Sequence, residues 1–551
     1  MRRTTTLAGL AAISCVAALG LAACGSSGST ATKEGGTVNV LMGTAPDFLD
    51  PQEGYTTQAA EADWISYTPL LTYQHASGQD GTKLIPGLAD NLPQVSKDGK
   101  TYTLTLRKGL RFSNGKAVKA SDFRYTIERA IKLNWGGKSF FTNYIAGASA
   151  FDTGKSNTIS GIQTDDATGK ITIHLTTPYG AFPNVLAFPS AGLVPSGTPD
   201  TNLSSNPPPG VGPYMIKDVS PNRSFTLVKN PHFASLGIPN IPKGHLDTIK
   251  VTITSNTQSE AEQVLQDQAD AFDAGDTIPA SLLPQIQSKA AGRFSRETIP
   301  STFYFFLNTR MAPFNNPMAR QAVNYALDRR AFVRLASGFL KPECYFLPDG
   351  IAGHPSGNCQ YGSKDGAPDL AKAKQLVKKA GLEGTPVTVW GETRAPRKQY
   401  VEYYTSVLNQ IGFKATPKTI SDSVYFPTIG NAKTAPQTGF ADWLQDFPNP
   451  SDFYLLLDGK SIQPTNNENF SNVNDPHIQA ELAKLDKVPA TKLDSVSGEW
   501  RALDEYVAKK GYVAVYGSEE LPKFLSTRID FGSAVFHPLY LNDWSTWQLK
   551  K

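Results

Sequence analysis

Four cysteines carry the reactive thiols of this 551-residue chain, and their surroundings assign them different chemistries. Cys24 closes the run Leu21-Ala22-Ala23-Cys24, the spacing of a lipobox, behind Arg2-Arg3 and an apolar stretch from Leu7 to Leu21. Residues 1–23 read as a signal peptide, whose apolar stretch is too short to span a bilayer comfortably. Cys24 is then expected to be acylated and to become the new N-terminus, with an ordinary cleaved signal peptide ending near Ala23 as the alternative. Two palmitate-type chains would anchor stably, because each buried methylene contributes about 0.8 kcal/mol. Cys15 leaves with the leader. Cys344 and Cys359 remain in a part of the chain outside the reducing cytosol, where they are expected to form a disulfide; two free thiols are the alternative. Closing that loop stabilises by about 3 kcal/mol in the chain-entropy model.

No other constellation supports catalysis. Seven histidines are scattered without the tight spacing of a metal site. Gly136-Gly137-Lys138-Ser139 is half of a phosphate loop, but the glycine required five residues before Gly137 is Lys132. Gly210-Val211-Gly212-Pro213 lacks a third glycine and puts proline where a helix would start, so it reads as a turn rather than a dinucleotide site. A G-x-S-x-G elbow does not occur. The chain is expected to be no enzyme and to need no cofactor or metal. Its 53 basic and 49 acidic residues are spread without a basic block, which argues against a nucleic-acid partner.

The elements available to position side chains fall into two textures. Gly25 to Gly36, rich in Gly, Ser and Thr, reads as a flexible tether and is expected to be disordered. Thr37 to Met42 follows as a strand. Tyr102, Leu104 and Leu106 alternate, as do Ile171, Ile173 and Leu175, the pattern of half-buried strands in an antiparallel stretch. Between them Ser121 is placed to cap a helix that turns Phe123, Ile127, Ala130 and Ile131 to one side. From Leu246 the order becomes strand, helix and strand, which predicts a parallel sheet. A further lobe of this kind opens at Phe303, with Asn316 and Pro317 starting one helix and Asp369 another that ends at Gly381. A chain of this length exceeds one core, so two α/β lobes are expected.

Seven segments stand out in order: Leu49-Asp50-Pro51, the LIPGLA run from Leu84, the block Tyr102 to Arg129, Gly210 to Tyr214, Asn230-Pro231, the run ending in NYALDR at Arg329, and Trp443 to Pro450. Together, in this order, they resemble the cluster-C extracytoplasmic solute-binding proteins of ABC transporters, the dipeptide- and oligopeptide-binding family. The resemblance implies a two-lobed, periplasmic-binding-protein-like fold of type II with an extra α+β domain inserted in lobe I. Lobe I would comprise residues 37–74, 205–300 and 521–551, the inserted domain 75–204, and lobe II 301–520, with crossings near Pro300 and Leu521. The ligand would lie between closing lobes.

The resemblance also implies site residues. In peptide-binding members the aspartate corresponding to Asp446 receives the ligand's α-ammonium; capping or surface exposure is the alternative role, and Asp442 is a rival one turn earlier. Here Phe447 replaces the usual tyrosine and Asn449 the second aspartate. Arg394 matches the arginine that takes a dipeptide's carboxylate, with Arg397 a near rival. Trp443, Tyr304, Phe305 and Phe306 are candidates for the walls of side-chain pockets, core packing being favoured for the last three. The loop from Gly43 through Thr44 to Ala45 is expected to bind peptide backbone as an added strand would. The implied partners are a peptide, ABC permease subunits with their cytoplasmic ATPase, and the membrane through the lipid; the chain is expected to be a monomer on the extracytoplasmic face of the cell membrane. The same fold serves nickel chelates, haem, oligosaccharides and opines, and a surface receptor that signals without uptake is a further alternative.

Overall fold

The computed structural model describes residues 32–551 apart from 273, 274, 276 and 466. The expected signal peptide, Cys24 and the first part of the tether lie outside the described residues. The far end of the expected tether is ordered. Thr32–Lys33 pairs antiparallel with Leu549–Lys550, and the Gly36 N–H donates to Asp247 Oδ2 at 2.8 Å. Backbone groups here find partners more than 200 positions along the chain, which a Gly/Ser-rich composition does not reveal.

Thr37–Met42 is the first strand of a four-stranded sheet. It runs parallel to Thr248–Ile253, with Val38 opposite Ile249 and Val40 opposite Val251. That strand is antiparallel to Ser224–Lys229, which is antiparallel to Tyr214–Ser220. The wholly parallel sheet expected for this region is therefore mixed. Only residues 221–223 separate Tyr214–Ser220 from Ser224–Lys229, and Asn222 turns at a φ of 57°. A link that short joins antiparallel neighbours, whereas parallel ones need a long crossover.

The alternating segments form a separate antiparallel sheet in the order Gln94–Val95, Thr101–Thr105, Lys170–His174 and Ile162–Asp165. Tyr102, Leu104, Ile171 and Ile173 face inward onto the helix Ala120–Lys132, whose Phe123, Ile127, Ala130 and Ile131 are buried. Lys119, not Ser121, is the N-cap residue. Ser121 sits inside the first turn, and its N–H and hydroxyl both donate to the Asp166 carboxylate, at 2.8 and 2.9 Å. An acceptor from a distant turn thus does the capping. Val38 and Ile249 of the mixed sheet share one apolar core with Leu104 and Ile127, so the inserted sheet is packed as a continuation of its lobe.

The second lobe is built on a seven-stranded sheet. Its order is Phe294–Thr298, Val513–Phe524, Ser301–Leu307, Thr438–Leu444, Pro386–Glu392 and Lys414–Ile420, with Leu340–Pro342 also on Val513–Phe524. Asn316 caps Pro317–Ala326 by accepting from the Met318 N–H at 2.9 Å, and Asp369 caps Leu370–Lys379. Cys344 and Cys359 form a disulfide with a Cα separation of 5.7 Å. This lobe has its own core. The 12-residue strand Val513–Phe524 passes from it to the other lobe beside the link from Thr298 to Ser301, and Leu521 packs with Ile299 in a small cluster of its own. Among the described residues no helix is long and apolar enough to cross a membrane.

Candidate functional site

The strands Pro386–Glu392 and Thr438–Leu444 are parallel neighbours, so the residues that follow them emerge at the same edge of the sheet. Arg394 follows the first by two positions and Asp446 the second by two. This edge faces the other lobe. Two motifs noted in the sequence hold the opposing loop in place: Asp50 accepts from Arg129 at both oxygens, at 2.6 Å each, with both side chains fully buried. Arg129 also donates to Gln52 Oε1 and to the carbonyls of Pro199 and Thr201. A buried charge so fully hydrogen-bonded is a structural anchor, and it sets the path of residues 47–56.

On that loop the Tyr55 hydroxyl crosses to Asp446 and donates to Oδ2 at 2.7 Å. The Asp446 N–H donates to Asp452 Oδ2 at 2.8 Å. Asn449, not Asp446, caps the helix Pro450–Tyr454, its side chain accepting from the Ser451 N–H. Asp446 is therefore free of a capping duty and is half-buried between the lobes. Burial pushes its pKa up, the Tyr55 bond opposing the rise. Burial and then Asp446 push Asp452 well up, and push Glu468 up to about 7. Three carboxyl groups thus gather where the solvent is excluded, an arrangement that a cation would stabilise.

Arg394 Nη1 donates to Thr44 Oγ1 at 3.0 Å, a second side-chain contact between the lobes. Its rival Arg397 is committed within its own lobe. Arg397 donates to Glu392 at 2.9 Å and to Asp442 at 2.6 Å, and its guanidinium lies 4.9 Å from the Phe440 ring centroid. Arg397 and Asp442, the two near rivals, are each other's partner. Thr44 and Ala45 lie half-exposed just beyond Thr37–Met42.

Trp443 is half-buried beside Asp452. Tyr304 is placed in the core of its lobe: it is 2 % exposed, meets Phe346 edge-on at 5.5 Å and lies between Ala441 and Val515 of the neighbouring strands. Phe305 and Phe306 are fully buried there too. Phe447 crosses the interface. It is fully buried in the first lobe's core, its ring 5.6 Å from that of Phe140 and 6.0 Å from that of Phe188.

A cavity of about 70 Å³ lies between the lobes next to Asp446. Tyr55, Trp135 and Phe188 line it from one side, Leu444, Gln445 and Asp446 from the other. Trp135 stands edge-on to Tyr55 at 5.4 Å. Sequence reasoning missed Tyr55, Trp135, Gln445, Asp452 and Glu468. Tyr55, Trp135 and Glu468 are isolated loop residues with no periodic or motif signal, Asp452 lies in the short helix Pro450–Tyr454, and Gln445 stands unmarked beside Asp446 in the Trp443 to Pro450 segment; only the meeting of the lobes makes them neighbours.

The sequence matches the family description "Bacterial extracellular solute-binding proteins, family 5 Middle" over residues 83–464. It is 28 % identical over 430 residues to the glutathione-binding protein GsiB of Escherichia coli strain K12, covering 75 % of this chain and 74 % of that one. Among solved structures it superposes on the clavulanic acid biosynthesis oligopeptide binding protein 2 with a TM-score of 0.85 at 21 % identity, over 94 % of this chain and 96 % of that one. The Escherichia coli murein tripeptide binding protein MppA gives a TM-score of 0.78 at 19 % identity, over 95 % and 100 % of the two chains. These structures share the two-lobed α/β fold. With a single family description covering more than half of its length, the chain belongs to the bacterial extracellular solute-binding proteins of family 5.

Proposed function

We propose that the chain is the lipid-anchored binding component of an ABC importer, capturing di- or oligopeptides between its lobes and delivering them to a membrane permease. The observation that carries this reading is the Asp446 carboxyl. It is half-buried at the interlobe cavity, and its one side-chain hydrogen-bond partner among the described residues is the neutral hydroxyl of Tyr55. An α-ammonium arriving there replaces a neutral donor with a charged one, and charge-assisted hydrogen bonds are roughly twice as strong as neutral ones. The relatives named for glutathione, oligopeptides and a murein tripeptide support a peptide as the solute. Family 5 is a family of binding proteins, and the reading assigns no chemical step to the chain.

Arg394 supplies the partner for the other end of a short peptide. Its present bond to Thr44 holds a guanidinium beside the loop proposed to take peptide backbone. Acylated Cys24 keeps the receptor near its permease, which raises the effective concentration of one for the other.

Native mass spectrometry of the purified chain tests the solute: a co-purified mass that fragments as a peptide is expected, and a saccharide or metal chelate would overturn the reading. In calorimetry with that peptide, Asp446→Asn is expected to weaken binding at least tenfold, since hydrogen bonds to charged groups contribute about 1.5–3 kcal/mol. Unchanged affinity would remove Asp446 from the site.

A further inference from the structure

The interlobe cavity is chemically one-sided. Asp63, Ser190 and Gln445 line it, and each is more than nine-tenths buried. Asp63 Oδ1, Ser190 Oγ and Gln445 Oε1 have no hydrogen-bond partner among the described residues. Two of these residues are held by their other polar groups. The Gln445 amide nitrogen donates to the Pro538 carbonyl at 3.2 Å, and the Ser190 carbonyl accepts from Gln52 at 3.2 Å. The residues lining the cavity thus carry an unpartnered carboxyl oxygen, hydroxyl and amide oxygen, and buried polar atoms of this kind are costly unless something satisfies them.

Among the described residues no Lys, Arg or His lines the cavity. Asp63 is held up in pKa by burial and then by Asp50 and Asp47, with no cation offsetting either. Aromatic rings complete the wall, with Tyr55 and Trp135 on one side and Tyr540 from the C-terminal segment. Acceptors gathered among aromatic faces in the absence of a basic side chain suit a cation with several N–H donors, which gains hydrogen bonds and cation–π attraction together. At about 70 Å³ the cavity has room for an ammonium or guanidinium head and its last methylenes, not for a peptide.

We infer that this cavity is a subsite for a positively charged side chain, so that the preferred peptide carries Lys or Arg at the residue bearing its free ammonium. The inference rests on the peptide reading and deepens it. Asp446, at the same cavity, takes the α-ammonium, and the basic side chain of that residue reaches inward to Asp63, Ser190 and Gln445.

The test is calorimetry on the full chain in detergent with Lys-Ala-Ala and with norleucine-Ala-Ala, which keeps the straight side chain and removes its charge. Lys-Ala-Ala is expected to bind at least tenfold more tightly, and Asp63→Asn to narrow that ratio to within threefold. Gln445→Met, which removes an acceptor at similar volume, is expected to narrow it in the same direction, so the test survives if one variant fails to fold. Equal affinities for the two peptides in the unmodified chain overturn the inference while leaving the peptide reading intact, and a ratio unchanged in both variants overturns the assignment of the subsite. Agmatine is the third ligand. Binding of agmatine without binding of either peptide upholds the cationic subsite and sinks the peptide reading; binding of none of the three overturns both.

Discussion

Gly180 lies where backbone of the two lobes meets. Its N–H donates to the Asp486 carbonyl at 2.7 Å, and its carbonyl accepts from the Ala490 N–H at 3.3 Å, so a turn of the first lobe is clasped by backbone of the second. A Cβ at this position would sit 1.6 Å from the Val488 carbonyl oxygen and 2.4 Å from its carbon. Non-bonded heavy atoms settle near 3.5 Å, so Gly180→Ala requires the two segments to withdraw by about 2 Å. At that separation neither backbone hydrogen bond survives. Each contributes about 0.5–1.5 kcal/mol net, giving a loss of about 2 kcal/mol that falls on the closed state alone. If the ligand binds only that state, its affinity drops by the same free energy, about 30-fold. Titration calorimetry with a co-purifying peptide measures the affinity, and small-angle scattering measures compaction on adding the ligand. Gly180→Ala is expected to bind about 30-fold more weakly and to compact less, with each lobe's fold intact by circular dichroism. Unchanged affinity together with full compaction would refute the argument and show that residues 486–490 yield locally without holding the lobes together.

Three further outcomes are expected. Glu468 titrates at about 7 because burial and Asp446 both favour its protonated form, and a bound ammonium reverses that preference. Affinity for a cationic peptide therefore rises as pH goes from about 5 to 8, and binding near pH 6 releases protons, read from the buffer dependence of the calorimetric enthalpy. Removing the Cys344–Cys359 bridge by a double Cys→Ala change should cost about 3 kcal/mol in denaturant unfolding of the second lobe, and thiol titration of the processed chain should find this pair only after reductant. Cys24→Ala should move the protein from the membrane fraction to the medium, while an unchanged membrane fraction would end the lipid-anchor proposal.

Several structural roles were written in local chemistry. Asn316-Pro317 and Asp369 mark helix starts because a side-chain oxygen two or three residues away satisfies an orphan N–H, a matter of a few consecutive residues. The alternation around Tyr102 and Ile171 gives their strands because successive side chains of an extended chain point to opposite faces, again a matter of a few consecutive residues. Ser121 shows where such reasoning stops: the acceptor that won belongs to Asp166, 45 positions on. The mixed sheet was missed because helical grammar after Leu246 said nothing about the hairpin that precedes it. Tether composition likewise hid the pairing of Thr32–Lys33 with the other end of the chain.

Asp446 and Arg394 entered as candidates through motif resemblance, which marks positions along a chain without saying what stands opposite them. Their sequence neighbours Asp442 and Arg397 have the same chemistry and a similar claim. Only the fold separates these pairs, by burying Arg397 between Glu392 and Asp442 and directing Asp446 to Tyr55 and Arg394 to Thr44, 391 and 350 positions away. The amino-acid order by itself determined which segments become strands and helices, and it pointed to Cys344 and Cys359 as the pair that the structure joins. Tertiary structure alone decided which charges pair within their own lobe and which meet a residue of the other, because such pairing depends on distance in space and desolvation, and neither is a property of neighbouring residues in the chain.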